Sequence, residues 1–292
     1  MQQVQQITEK QIKTAASVIK TIRPAYGPLI DFYREVFLAQ EESKKRLDRD
    51  SVTMTPHVPP PEMDCAAPLV RPSDFTIDYA EAARLLGRLC SLAQRLAPEL
   101  SKSAATLIKA DQKGMLESRT LFYAVIRGRD AMIHEMAEFL GIPVQDLAFF
   151  AYGAIAPSIF TCASQLGLYL KNRPAWTKGC CPICGSHPDM AFFDTDGGRH
   201  LLCAFCLHEW PFQRMGCVFC GNRDPELQHY FFKQEEKEYR MDLCDHCRRY
   251  LKLVDLRELT RDFYPRLEQV CSLHLDMEAR EKGYTSMVSP MR

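Results

Sequence analysis

Four Cys-x-x-Cys pairs follow one another between residues 180 and 247: Cys181/Cys184, Cys203/Cys206, Cys217/Cys220 and Cys244/Cys247. No other feature of the 292-residue chain limits its folding as strongly. Eight paired cysteines are the ligand complement of two tetrahedral metal ions. Two intervening residues let the backbone double back, so that N–H groups face the thiolates and both sulfurs reach one ion without strain. The first and third knuckles, Cys181-Pro182-Ile183-Cys184-Gly185 and Cys217-Val218-Phe219-Cys220-Gly221, also supply the glycine that such a turn favours. One pair would be a weak signal, whereas four in order are a specific one.

The sequence between the knuckles indicates how they pair. Residues 190–193 and 199–202 are strand-like and joined by Asp196-Gly197-Gly198, a tight-turn signal. The plan repeats at 228–232 and 239–243, with the charged residues 233–238 as the loop. Each hairpin starts after one knuckle and returns into the next, which brings Cys181/Cys184 to Cys203/Cys206 and Cys217/Cys220 to Cys244/Cys247. The spacings are C-x2-C-x18-C-x2-C and C-x2-C-x23-C-x2-C. Ligand spacing alone also allows a crossed arrangement of the first pair with the third, but that leaves the hairpins unexplained.

Upstream the pattern is helical. Residues 7–22 and 28–47 read as helices separated by the breaker cluster Pro24-Ala25-Tyr26-Gly27-Pro28, and the charged run 41–50 reads as a solvated face. Residues 51–74 hold six prolines, including Pro59-Pro60-Pro61, and form an extended connector. A helix capped at Ser73-Asp74 runs to about Ala97, with Leu85, Leu89, Leu92 and Leu96 on one stripe; further helices span 101–110 and 116–140. Residues 147–170 carry no formal charge and are long enough to span a bilayer, yet they contain Gly153, Pro157, Ser158, Thr161 and Gln165. That composition fits a loop followed by a buried core helix starting near Pro157, without membrane insertion. A last helix runs to about Lys282, with Leu267, Val270, Cys271, His274, Leu275 and Met277 inward.

The expected fold is mainly α with small β. An all-helical domain (1–175, with the proline-rich connector at 51–74) precedes two tandem rubredoxin-like, zinc-ribbon-type four-cysteine subdomains (176–216 and 217–256), and a carboxyl-terminal helix and tail (257–292) follow. Cys65, Cys90, Cys162 and Cys271 read as small buried hydrophobes and Cys180 as a spare thiol. Asp130, His134 and Glu138 share a helix face, which reads as solvated polar surface with no site on it.

Charge and ligand count narrow the function. The chain has 37 basic and 37 acidic residues, so nothing draws it as a whole to polyanions. Residues 176–255 hold 10 Lys and Arg against 12 Asp and Glu. Each divalent ion with four thiolates subtracts two more charges, giving about −6, the wrong sign for nucleic acid. No catalytic or organic-cofactor site is expected, because four thiolates leave a metal no open position for substrate water and no βαβ unit frames a redox Cys-x-x-Cys. The metal itself is iron or zinc, since tetrathiolate geometry suits both. The amino terminus lacks the apolar core of a secretory signal, so a cytoplasmic location is expected.

From Trp176 onward the chain resembles one family. Cys181-Pro182-Ile183-Cys184-Gly185-Ser186-His187-Pro188 is followed by Arg199-His200-Leu201-Leu202-Cys203-Ala204-Phe205-Cys206, then Trp210, Arg214, Cys217 and Cys220. Cys244-Asp245-His246-Cys247-Arg248-Arg249-Tyr250-Leu251-Lys252 and the stretch 276–284 complete the order. It is similar to the formate dehydrogenase accessory protein family, FdhE, specifically over 176–284 and only generally over the helical half. The carboxyl end departs from that pattern, closing on Ser289-Pro290-Met291-Arg292 in place of a longer tail. The resemblance implies a cytoplasmic, non-catalytic maturation factor that binds the catalytic subunit of a formate dehydrogenase, with the eight cysteines as ligands of iron or zinc. Such subunits carry a molybdenum or tungsten pterin. A rubredoxin-like electron carrier is the alternative, ahead of a zinc-ribbon nucleic-acid binder; oligomeric state is left open.

Overall fold

The computed structural model describes residues 9–56, 67–171 and 173–288. Cys65, the Pro59-Pro60-Pro61 run and the 289–292 tail lie outside them. The described chain divides into two compact units: residues 9–55 with 71–166, and residues 56 and 67–70 with 167–288.

The first unit is helical: α1 (Glu9–Ile22), α2 (Gly27–Lys44), α3 (Tyr79–Leu96), α4 (Pro98–Gln112), α5 (Ser118–Ile126), α6 (Asp130–Leu140) and α7 (Val144–Gly167). Ile12, Ala15, Ala16 and Ile19 make the buried stripe of α1, and Leu85, Leu89 and Leu92 that of α3. The α3 cap is Asp78, whose carboxylate accepts the Glu81 N–H at 3.0 Å. The expected cap, Ser73-Asp74, instead closes a short 3-10 turn, Pro72–Asp74, because 75–78 run extended before the helix begins. Pro98 ends α3 and also opens α4. The expected helix over 116–140 is two helices, broken where Gly128 takes φ +62°.

The α7 helix corrects a sharper expectation. Helix begins at Val144 and runs unbroken through Pro157, where a loop was expected up to that residue. Proline lacks an N–H, so the carbonyl four residues back, that of Gly153, loses its helical donor. Gln40 of α2 supplies a replacement: its Nε2 donates to the Gly153 oxygen at 2.7 Å in a fully buried contact. Gly153 also suits the packing against α3, since a Cβ there would stand 3.1 Å from Leu89 Cδ1. By length and composition 144–170 could cross a bilayer, but 78% of its most apolar window is buried within the protein, as in a core helix.

The second unit contains β1 (Pro188–Phe193), β2 (Arg199–Cys203), β3 (Glu209–Phe212), β4 (Gln228–Phe231), β5 (Tyr239–Cys244), β6 (Arg249–Asp255), α8 (Pro265–Cys271) and α9 (Leu273–Glu281). Both expected hairpins are present, with Phe192 opposite His200 and Tyr230 opposite Asp242. Each gains a third strand, β3 or β6, that pairs antiparallel with the return strand of its hairpin. The two three-stranded ribbons then merge into one sheet of order β3-β2-β1-β6-β5-β4, joined by parallel pairing of β1 with β6. A buried central strand explains the run Tyr250-Leu251-Lys252-Leu253-Val254, every residue of which is buried. Lys252 is tolerated there because its ammonium meets the Asp276 carboxylate at 2.7 Å and the Gln269 carbonyl at 3.2 Å.

The expected last helix breaks at Ser272, whose hydroxyl turns back onto the Glu268 carbonyl at 2.6 Å. The break shifts the helical phase, so Leu267, Val270, Cys271 and Leu275 stay inward while Met277 is 63% exposed. Cys271 sits in a polar cluster, 2.9 Å from the Tyr239 hydroxyl, beside the buried Arg261–Glu268 ion pair (2.7 Å).

Gln40→Leu is expected to destabilise the helical unit by about 1–3 kcal/mol, the cost of orphaning a buried carbonyl. Pro157→Ala restores the missing donor, so Gln40→Leu should cost less in that background. Thermal unfolding of the four proteins in this cycle checks it, and equal costs in both backgrounds would remove the compensation argument.

Candidate metal centres

Four turns of one design present the sulfurs. In the first, the Cys181 N–H bonds the Ser186 carbonyl at 2.9 Å and the Gly185 N–H bonds the Cys181 carbonyl at 2.9 Å. The pattern recurs at Cys203 (to His208, 3.0 Å; from Leu207, 3.2 Å) and at Cys217 (to Asn222, 2.8 Å; from Gly221, 3.1 Å). At Cys244 the Arg248 N–H closes the turn at 2.8 Å. The residue after each second cysteine is left-handed: Gly185 (φ +75°), Leu207 (φ +57°), Gly221 (φ +73°) and Arg248 (φ +56°). Sequence reading found the two glycines and missed the other two, because Leu207 and Arg248 carry no signal of positive φ. Such strain costs a non-glycine residue roughly 1–2 kcal/mol. Arg248 has local compensation, with its guanidinium on Asp245 (2.7 Å) and the Lys282 carbonyl (3.0 Å).

These turns bring together two groups of four sulfurs, Cys181, Cys184, Cys203 and Cys206, and Cys217, Cys220, Cys244 and Cys247, each within 4.8 Å overall. Neighbouring sulfurs are 3.6 Å apart for Cys181 and Cys206, 3.5 Å for Cys184 and Cys203, and 3.6 Å for Cys184 and Cys206. In the second group Cys217 lies 3.7 Å from Cys247, and Cys220 3.8 Å from Cys244. A tetrahedron with metal–sulfur bonds of about 2.3 Å has edges of about 3.8 Å. The donors therefore fit a tetrahedral thiophilic cation, and each group could hold one. The pairing runs through the hairpins, not crossed. Cys180 belongs to neither group; its carbonyl accepts the Trp176 indole N–H at 2.7 Å.

Electrostatics point to the same need for a cation. Burial pushes the Cys181 and Cys206 thiols well up. Burial also opposes ionisation of Cys184, but hydrogen bonds from Cys181, Cys203 and Cys206 outweigh it and carry that thiol well below its ordinary value. One thiolate shared among thiols is what such a cluster sustains alone, and a divalent ion balances the rest. Backbone N–H groups already face the sulfurs, from Phe205 and Cys206 to Cys203 Sγ and from Phe219 to Cys217 Sγ, each at 3.4 Å.

The groups differ in access. All four sulfur-bearing residues of the first are buried, whereas Cys220 is exposed and Cys247 half-buried in the second. The connector end protects the first group: Leu69 and Val70 donate N–H bonds to the Pro182 and Ile183 carbonyls at 3.0 and 2.9 Å, and Pro68 Cγ lies 3.0 Å from where a Cβ on Gly185 would sit. The groups also touch one another. A Cβ on Gly179 would fall 1.8 Å from the Val218 carbonyl oxygen, and the His187 and Phe219 rings meet edge-on with centroids 6.0 Å apart. Arg199, at the head of β2, is buried and donates to the Gly216 carbonyl (3.2 Å) and Asp242 (2.8 Å), tying the strand that ends in Cys203 to both arms of the second group. Neither Gly179 nor Arg199 was singled out as a site residue in the sequence, since both contacts are long-range.

The other candidates resolve plainly. Asp130, His134 and Glu138 are exposed on α6, with His134 Nδ1 2.8 Å from the Asp130 carbonyl. Cys90 and Cys162 are buried, and burial pushes the Cys90 thiol up to about 12. Trp210 is core, donating its N–H to the Lys178 carbonyl at 3.3 Å, while Tyr230 and Phe232 are exposed.

No family model matches the chain. It is 34% identical over 148 residues to the "Protein FdhE homolog" of Aquifex aeolicus, covering 49% of this chain and 51% of that protein. It is 29% identical over 152 residues to the homolog of Haemophilus influenzae strain KW20, covering 51% and 50%. The matched region thus spans about half the length of these curated relatives. The crystal structure of the FdhE protein from Pseudomonas aeruginosa has the same fold, with a TM-score of 0.70 at 19% identity over 98% of this chain and 96% of that one.

Full-length protein is expected to bind two equivalents of metal, with Cys203→Ser and Cys220→Ser each losing one by elemental analysis. A chelator should strip the second site first, in two kinetic phases, because Cys220 is open to solvent; a single phase would contradict the difference in access. In thermal melts Gly221→Ala, which meets no atom, should cost about 1–2 kcal/mol through φ alone, Gly185→Ala more, and Gly179→Ala most, since backbone must move.

Proposed function

The chain belongs to the FdhE family, and on that premise we propose that it is a non-catalytic maturation factor that binds the catalytic subunit of a formate dehydrogenase and is needed for that enzyme's activity. The observation that carries the non-catalytic half of this reading is the completeness of both donor sets: four sulfurs surround each centre at tetrahedral-edge separations. A metal held this way has no coordination position for substrate. In the proposal Cys181, Cys184, Cys203 and Cys206 ligate one ion, and Cys217, Cys220, Cys244 and Cys247 another. The ions are zinc or iron, and they stand in for the apolar core that a ribbon of some 40 residues cannot build. The setting is the cytoplasm, where thiolates stay reduced.

A second reading, electron transfer through iron, is favoured by the N–H bonds to Cys203 and Cys217 Sγ and by the exposure of Cys220. Hydrogen bonds to sulfur and solvent access are the protein's means of setting a thiolate-iron potential.

Deletion in a strain that makes a formate dehydrogenase is expected to abolish its activity while leaving its catalytic subunit expressed, and tagged protein should co-purify with that subunit. Normal activity in the deletion strain refutes the proposal. A visible spectrum separates the two readings, because a protein loaded only with zinc shows no ligand-to-metal bands and transfers no electrons through these centres.

A further inference from the structure

We propose that a cavity beside the second cysteine group, together with the free edge of β4, is the docking surface for an extended segment of the partner protein carrying a carboxylate next to an apolar side chain. This rests on the reading that the chain binds a catalytic subunit, and it locates where. The cavity measures about 150 Å³, the size of one side chain, and lies wholly within the second unit. Four arginines line it, Arg199, Arg214, Arg240 and Arg249, against a single acidic residue, Asp242, among the described residues.

Asp242 is already shared: Arg199 Nη2 and Arg240 Nε each donate to it at 2.8 Å. Arg214 has a long bond to the Gly197 carbonyl (3.4 Å) and lies over the Phe193 ring at 5.2 Å, and Arg249 bonds the neutral Thr285 hydroxyl and Ser286 carbonyl, both at 2.8 Å, so neither charge is met by a carboxylate in these contacts. The lining arginines therefore exceed the lining carboxylate by three charges. Cys217 and Cys244 form part of the same wall, and a metal-bound thiolate group balances about two of them. A net positive cavity one side chain wide accepts a carboxylate, in the bidentate geometry that guanidinium favours.

The adjoining strand explains why the carboxylate would arrive on an extended segment. Of the sheet's two edges, β3 carries Pro211 and the exposed Glu209, which discourage strand addition. The β4 strand, Gln-His-Tyr-Phe, contains no proline, acidic residue or lysine and, among the described residues, pairs only with β5. Tyr230 on that strand is 63% exposed and stacks on Phe232, itself 41% exposed, and Met215 at the cavity is 70% exposed. Arg240 spans the two features, lying over the Tyr230 ring at 5.1 Å while bonding Asp242. Backbone pairing would supply affinity, the arginines and aromatics the choice of segment.

The test uses the full-length, metal-loaded chain and the catalytic subunit of a formate dehydrogenase, with affinity measured for wild type, Arg214→Glu, Tyr230→Ala, Met215→Ala and, as a remote charge control, Lys113→Glu. Arg214, Met215 and Tyr230 are exposed, so metal content and melting temperature should match wild type. Arg214→Glu and Tyr230→Ala are each expected to weaken binding at least about tenfold, Met215→Ala by less, and Lys113→Glu by under about twofold. Variants that bind like wild type overturn this surface while leaving the accessory role standing. Wild-type protein that fails to bind the subunit at all overturns the role itself.

Discussion

Four cysteine sulfurs gathered at tetrahedral-edge separations would repel one another as thiolates, and a bound cation would offset that repulsion. Most of the second unit is arranged around that requirement. The strands β2 and β5 each end on a member of a sulfur group, Cys203 and Cys244, so an ion bound there would also clamp the end of a hairpin. The knuckles orient their own N–H groups toward sulfur before any ion is considered, and left-handed residues make the fold-back possible. Two of those residues, Leu207 and Arg248, hold a conformation that costs them energy, which makes sense only if the turn they close is worth more.

The two centres are not independent beads. Parallel pairing of β1 with β6 makes one sheet of two repeats, and Gly179 against Val218 brings the segment entering the first site onto the third knuckle. Arg199 spans the same junction. A displacement at the more accessible sulfur group would be felt at the other through these contacts.

A second theme, common to both units, is that certain buried polar groups have partners outside their own helix or strand. Gln40 replaces the donor that Pro157 lacks, Asp276 receives Lys252 within a buried strand, and Glu268 faces Arg261. Each arrangement offsets part of the desolvation cost of burying the group. In α7 the consequence is a largely buried helix of 24 residues that continues through a proline.

Much of this was legible in the chain itself. Cysteine spacing, the Asp196-Gly197-Gly198 turn and the repeated alternation of 190–202 and 228–243 identify two hairpins and, through them, which cysteines meet; apolar periodicity identifies the helices of the first unit. These are local signals, set by residues within a turn or a strand of one another. What tertiary structure alone decided is non-local: that β1 and β6 fuse the ribbons, that a glutamine 113 positions away carries α7 through its proline, and that arginines from four separate segments converge on one cavity. A backbone hydrogen bond or an ion pair between distant residues leaves no period and no spacing in the sequence. Only the closed chain brings those atoms to within 3 Å of each other.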